Sequence, residues 1–350
     1  MKEQKSMMLF ESTIKSDATK QTYQLHLRKL LQYSKIKDYD SLITLGPKQI
    51  QTLLEDYLLY CRKKYSANSI SVIFSCYQSF FSYHVDGINF KRLRRMYPAK
   101  EKLSGKQAYT TDQVRFLIEN TISREIKTAL HFMACSGVRI GSLCDLKLKH
   151  LEDMPNGCKS VLVYADTISE YTTFITPECF EVLENYLAWR KQKGQTITKD
   201  SYVFVRPDGK QHKPNDQAVA MCMLASKLLN RDKSNKIRYD VQSSHGLRKR
   251  FNTILKLNNE INPNIAERLL GHSQSIKLDN SYFTPSKDQL FNEYQKAIPE
   301  LLIDEKYKLK FELKNQKAKI KDLESDKDRR IEKLEYKLET LNEFVKSFSK

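Results

Sequence analysis

SSHGLRKRFNTILK, residues Ser243 to Lys256, sets His245 and Arg248 three positions apart, the spacing that puts two side chains on one face of a helix. Such a pair is cheap by itself: about one chain in three of this length holds a His-x-x-Arg by chance. What surrounds it decides its weight. Upstream, ACSGVRIGSLCDLKLKHL (Ala134–Leu151) carries Arg139 just after Gly137, where one helix ends and another begins. Downstream, INPNIAERLLGHSQS (Ile261–Ser275) reads as a short helix that ends at His272. Tyr282 follows ten residues later, in GHSQSIKLDNSYFTPS (Gly271–Ser286), among polar and turn-forming neighbours. A tyrosine in such a setting is ordinarily a half-buried ring with its hydroxyl at the surface.

Composition narrows the partner. The chain has 350 residues, with 60 Lys+Arg against 42 Asp+Glu, a formal charge of +18, and a pI near 9.4. That balance favours a polyanion, nucleic acid before an anionic membrane surface. No run of eighteen apolar residues occurs and MKEQKSMMLFES has no signal-peptide core, so a soluble, cytoplasmic protein with no membrane partner is expected. The seven cysteines are scattered, without a Cys-x-x-Cys pair, which disfavours a disulfide framework or a zinc site. Neither GxxxxGK[ST] nor GxGxxG is present, so no nucleotide cofactor is expected.

Four regions succeed one another. Residues 1–92 read as helices with basic faces: GPKQIQTLLEDYLLYCRKKY places Ile50, Leu53, Leu54, Tyr57, Leu58 and Cys61 on one stripe, and SANSISVIFSCYQSFFSYHV repeats the pattern. His84 closes the second stripe and reads as a packed histidine. TKQTYQLHLRKLLQYS supplies an earlier helix. FKRLRRMYPAKEKLSGKQ, basic and broken by Pro98 and Gly105, makes 93–107 a linker. Residues 108–302 mix classes. YTTDQVRFLI opens a helix with Thr110 and Gln113 as a capping box, and VLVYADTISEYTTFITPE alternates as a hairpin turning near Asp166 to Glu170. PECFEVLENYLAWRKQKG and NDQAVAMCMLASKLLNR read as helices, with SYVFVR a short strand between them. The fold class expected is mostly α with a small antiparallel β-sheet. Finally, 303–350 is free of Gly and Pro. Its Ile331, Leu334, Leu338, Leu341, Val345 and Phe348 are spaced 3, 4, 3, 4, 3, a coiled-coil seam. Leu309, Leu313, Ile320 and Leu323 continue it upstream, with Gln316 in the seam and a stutter at Lys327.

The order SGVR, HGLRKRF, LLGHS and then a tyrosine ten residues on resembles the tyrosine recombinases, the phage integrase family. The helical region before the linker, the capped YTTDQVRFLI and the hairpin fall where that family has them. YTTFITPE, HGLRKRF and SYFTPS followed by EYQKAIPELLI are similar to integrases of archaeal viruses and plasmids. The resemblance covers roughly residues 10 to 300, leaving the tail outside. It implies two domains closing on double-stranded DNA, with four protomers on two duplexes in a prokaryotic cell. Arg139, His245, Arg248, His272 and Tyr282 would be the catalytic set.

Elementary chemistry agrees with those roles. A phosphodiester repels nucleophiles, and two planar guanidinium forks can hold its non-bridging oxygens and the charge of the transition state. His245 suits proton transfer from the tyrosine, and His272 can donate a third hydrogen bond to the phosphate. Tyr282 would attack to give a 3′-phosphotyrosine, and the covalent link conserves the bond energy, so neither ATP nor metal is required. Two departures stand out. The family has an acidic residue three after the first arginine, where this chain has Ser142, with Asp145 a turn further on. It also has a lysine at the hairpin turn as general acid, where ADTISEYTTF has none. Lys159, before the first strand, is the nearest candidate. Two alternatives stay open on the sequence: a type IB topoisomerase-like enzyme, and a DNA-binding protein that has lost cleavage.

Overall fold

A computed structural model describes residues 4–101, 107–213, 215–231, 239–272 and 283–348. Two compact units divide the chain, Met1–Leu103 and Ser104–Lys350.

The first unit is all helix: α1 (Lys5–Ser12), α2 (Asp17–Ser34), α3 (Tyr39–Ile43), α4 (Pro47–Lys64), α5 (Ala67–His84) and α6 (Phe90–Arg95). The stripes read from sequence form its core, in which Ile50, Leu54, Leu58, Ile70, Tyr77 and Phe81 are sealed from water. His84 packs at 4.8 Å from the Phe80 ring, with Nε2 at 3.0 Å from the Ser6 carbonyl oxygen. The stretch from residue 93, expected as linker, is folded at its start. Leu93 is fully buried from α6, and the Tyr97 ring lies 5.8 Å from Phe74. Its arginines mask two apolar anchors, and the anchors decide.

The second unit is built around α8 (Arg124–Ser136), buried along nearly its whole length. The capping box ahead of α7 (Thr111–Glu119) is present in both directions, Gln113 amide to Thr110 Oγ1 at 3.2 Å and Thr110 amide to Gln113 Oε1 at 3.0 Å. A three-stranded antiparallel sheet, β1 (Leu151–Asp153), β2 (Lys159–Val163) and β3 (Tyr171–Ile175), packs on α8. Register runs Lys159 opposite Ile175 to Val163 opposite Tyr171, so the turn spans Tyr164 to Glu170. β1 is too short to show a period in the sequence. SYVFVR buries Val203 and Phe204 but makes only isolated bridges, Tyr202 to Lys147 and Val205 to Gln211. Helices α9 (Pro177–Gln192), α10 (Asp216–Leu228), α11 (Ser243–Leu257), α12 (Pro263–Leu269) and α13 (Lys287–Leu301) complete the unit. This is the mostly helical fold with a small antiparallel sheet that the sequence foreshadows.

The tail is one helix, α14 (Glu305–Phe348), about 66 Å long at 1.5 Å per residue. Its first turns are part of the globule, since Tyr307 and Phe311 pack on the core that holds Phe251 and Tyr294. Along the same helix Leu309, Leu313, Ile320, Leu323, Leu334 and Leu338 are all more than half exposed.

Candidate active site

Three chain segments meet at the C-terminal end of α8. Gly137 stops that helix in the left-handed region at φ 65°, and a Cβ there would lie 2.2 Å from the Phe251 ring of α11. Glycine thus turns the chain where α8 and α11 touch. Arg139 comes two residues later, exposed, at the start of a 3-10 turn. Ser142, at the position where the resemblance implies an acid, is buried and donates from Oγ to the Arg139 carbonyl at 2.7 Å. Asp145 instead accepts from Gln211 Nε2 at 2.9 Å.

From α11, Arg248 reaches across this corner. It is 5% exposed and donates from Nη1 to the Gly137 carbonyl at 2.6 Å and from Nη2 to the Leu270 carbonyl at 2.5 Å. Burial depresses its pKa, yet a guanidinium stays charged at any physiological pH. Arg139 Nη2 lies 3.4 Å from the next carbonyl, Gly271. One Nη of each arginine therefore ends on the backbone at Leu270–Gly271, just before His272. Gly271 also has positive φ, 60°, and a Cβ would meet the Tyr171 ring at 2.4 Å. Arg250, two residues past Arg248, faces the other way. It is 2% exposed and bonds the carbonyls of Ala134 and Glu300, so it is a core tie.

His245 is exposed on α11, one turn before Arg248 and Lys249. Its pKa is lowered, first by partial burial, then by Lys249, Arg248, Arg139 and His272. Both histidines and both arginines thus lie at one corner. His272, somewhat over a third exposed, has Nδ1 at 2.5 Å from Glu267 Oε2. Neither Glu267 nor its second partner, Lys256, stands out in the sequence. Their spacing, five residues before and sixteen before His272, carries no motif.

Tyr282 lies outside the described residues. Its neighbour Phe283 packs on the core that holds Phe251 and Tyr294, and the Phe283 carbonyl accepts from Arg268 Nη2 at 2.6 Å. Tyr294 is fully buried and donates to the Cys135 carbonyl at 2.9 Å, a core tyrosine as its helical context implies. Lys159 is not brought to this corner. Its ammonium is bound to Asp153 and sits 4.3 Å from the centre of the Phe180 ring, at the end of β2 away from the turn. Lysines that do flank the turn end belong to the segment before β1: Asp166 of the turn acts electrostatically on Lys149 and His150.

The phage integrase family matches residues 107–289, which is more than half of the chain and contains this whole corner. The chain belongs to the phage integrase family. Solved structures of tyrosine recombinases share its fold. The Tn1549 transposon integrase in complex with transposon right end DNA is 18% identical at TM-score 0.55, over 83% of this chain and 98% of that one. The XerH site-specific recombinase in its post-cleavage complex with palindromic difH substrate is 17% identical at TM-score 0.51, over 79% and 78%. A lambda integrase tetramer bound to a Holliday junction is 15% identical at TM-score 0.52, over 79% and 74%. None of the curated proteins compared with the chain matches it. Family membership makes this a DNA strand-transferring enzyme fold with Arg139, His245, Arg248 and His272 inside the matched region. Among the described residues no helix is long and apolar enough to cross a membrane, and no group of metal ligands forms.

Proposed function

We propose that this integrase cuts and rejoins DNA at specific sites through a 3′-phosphotyrosine on Tyr282, integrating or excising a viral or plasmid genome. One observation carries the reading. Arg139 and Arg248, from different segments 109 residues apart, both end on the Leu270–Gly271 carbonyls beside two histidines. Two forks at one spot fit the two non-bridging oxygens of a phosphodiester, and their charge is worth most in the transition state. His245, neutral at pH 7 because of its lowered pKa, takes the proton of Tyr282. His272 donates to the phosphate. Attack breaks the P–O5′ bond, leaves a free 5′-hydroxyl, and is reversed by another 5′-hydroxyl, with no ATP or metal in the cycle.

Double-stranded DNA is the partner, and four protomers on two duplexes form the synaptic assembly, as the lambda integrase tetramer does on a Holliday junction. The exposed seam of α14 pairs with the same helix of another copy in a coiled coil. A suicide duplex nicked near the cleavage point tests the chemistry. The wild-type chain is expected to trap covalently, and Tyr282→Phe to bind the same duplex without trapping. Absence of trapping by the wild type, with binding intact, would make the chain a DNA-binding relative that has lost cleavage. Relaxation of supercoils without exchange between two sites would make it topoisomerase-like.

A further inference from the structure

Glu267 holds His272 twice. The His272 amide donates to the Glu267 carbonyl at 3.1 Å, closing the end of α12, and the Glu267 carboxylate lies 2.5 Å from His272 Nδ1. The other carboxylate oxygen is bound by the Lys256 ammonium of α11. Partial burial pushes the Glu267 pKa up, but hydrogen bonds from Lys256 and His272 outweigh it and hold the carboxyl below its ordinary range. An ionised carboxylate only accepts, so Nδ1 carries a proton in this pair, and Nε2 is the ring atom left for a ligand, donating to a phosphate oxygen when it carries a proton as well.

We propose that Glu267 is the positioning residue of His272: it fixes the imidazole so that Nε2 serves the scissile phosphate, and Lys256 holds the carboxylate in turn. This rests on the recombinase reading of the site and adds a residue to it. The groups that face the imidazole come from three segments. Glu267 on α12 bonds the ring and Lys256 on α11 holds that carboxylate, His245 on α11 is an electrostatic neighbour of His272, and Arg248 on α11 and Arg139 after α8 end on the Leu270 and Gly271 carbonyls just before it. Without the carboxylate, the Nδ1 bond that fixes the ring is lost. Loss of orientation in a site that works by fixed geometry costs up to about 10²-fold in rate.

A double-mutant cycle on the full chain tests this, with covalent trapping on the nicked suicide duplex as the rate and Kd for that duplex measured alongside. Glu267→Ala is expected to slow trapping by roughly ten- to a hundredfold with Kd within about twofold, and Glu267→Gln, whose amide oxygen still accepts from Nδ1, to recover most of the loss. In a His272→Ala background, Glu267→Ala should cost less than about twofold more, because the group it orients is gone. Equal, multiplicative losses in both backgrounds would show a merely structural ion pair with Lys256 and overturn the inference, leaving the recombinase reading intact. A wild-type chain that never traps would overturn that reading and this inference with it.

Discussion

Arg248 Nη1 donates to the carbonyl of Gly137 at 2.6 Å, joining α11 to the residue that stops α8, two positions before Arg139. One guanidinium therefore does two jobs in the fold and one in the proposed chemistry. The carbonyls it ties at Gly137 and Leu270 belong to the two segments that deliver Arg139 and His272. Its own orientation is set before any DNA arrives.

That asymmetry separates the two arginines experimentally. Arg139→Ala removes an exposed side chain and should leave the melting temperature nearly unchanged while abolishing covalent trapping. Arg248→Ala should lose trapping and stability together, because two buried carbonyls lose their donor at about 1–3 kcal/mol each. Arg248→Lys keeps charge but not the fork, and should restore stability only in part and trapping hardly at all. Thermal melts beside trapping rates measure the difference. Equal melting losses for both alanine variants would contradict the account.

The glycines offer a second contrast. Gly271→Ala should destabilise the fold by at least about 2 kcal/mol, since positive φ and the Tyr171 ring both oppose a Cβ. Gly141→Ala, with nothing within 4 Å, should stay within about 0.5 kcal/mol of wild type. Urea titration of the two variants checks it.

Much of this arrangement is legible in the sequence, and the residues show why. Apolar stripes in α4 and α5 and the Thr110/Gln113 cap are local patterns, and they fold as they read. Arg139, His245, Arg248 and His272 follow a family order, and the chain folds them into one corner. Glu267 and Lys256 were invisible because their meaning lies in a contact between α11 and α12, which spacing does not encode. Lys159 was misleading for the reverse reason. It is close to the turn along the chain, but strand geometry carries it about 13 Å from Val163 at 3.3 Å per residue. The α6 segment was read as linker because its arginines outnumber Leu93, whose burial decides the matter.

His245 sets the pH dependence. In the folded chain His245 has a lowered pKa, from burial first and then from Lys249, Arg248, Arg139 and His272. The neutral ring is favoured on folding, so its contribution to stability is full above the unfolded pKa of about 6.5 and is lost as pH falls below it. Trapping should likewise be flat through pH 7 and decline on the acid side, below about pH 6.5. His245→Ala should be slow throughout and should not show that acid limb. A wild-type rate that rises on acidification would remove His245 as the base.

Truncation of the tail should depend sharply on where it is made. Cutting after Ile303 removes Tyr307 and Phe311 from the core and should lower the melting temperature. Cutting after Lys317 keeps both, and should preserve melting and covalent trapping while losing assembly of copies or pairing of two sites. Sedimentation of the two truncated chains with and without DNA tests this. An isolated segment from Ile303 to Lys350 that stays monomeric and unfolded at high concentration would remove the coiled coil alone.

The leaving 5′-oxygen needs a proton, and a positioned acid contributes about 10²–10⁴-fold. Lys159 is engaged by Asp153 and Phe180 at the wrong end of the hairpin. A substrate with sulfur at the bridging 5′ position leaves without that proton and isolates the step. Lys159→Ala should therefore change ordinary and sulfur substrates by the same factor, and a small one. Lys147 and Lys149 belong to the segment before β1, whose Leu148–His150 turn contacts β2 and whose Lys149 is an electrostatic neighbour of Asp166 in the hairpin turn. Lys149 is paired with Asp200 at 2.8 Å, whereas the Lys147 ammonium rests 5.5 Å from the centre of the Tyr202 ring and has no carboxylate to displace among the described contacts. Lys147→Ala is thus expected to slow the ordinary substrate at least about tenfold more than the sulfur one, with Lys149→Ala showing the smaller ratio. A ratio that moves for Lys159→Ala and for neither of the others would return the proton to the far end of the strand and require the hairpin to rearrange on DNA.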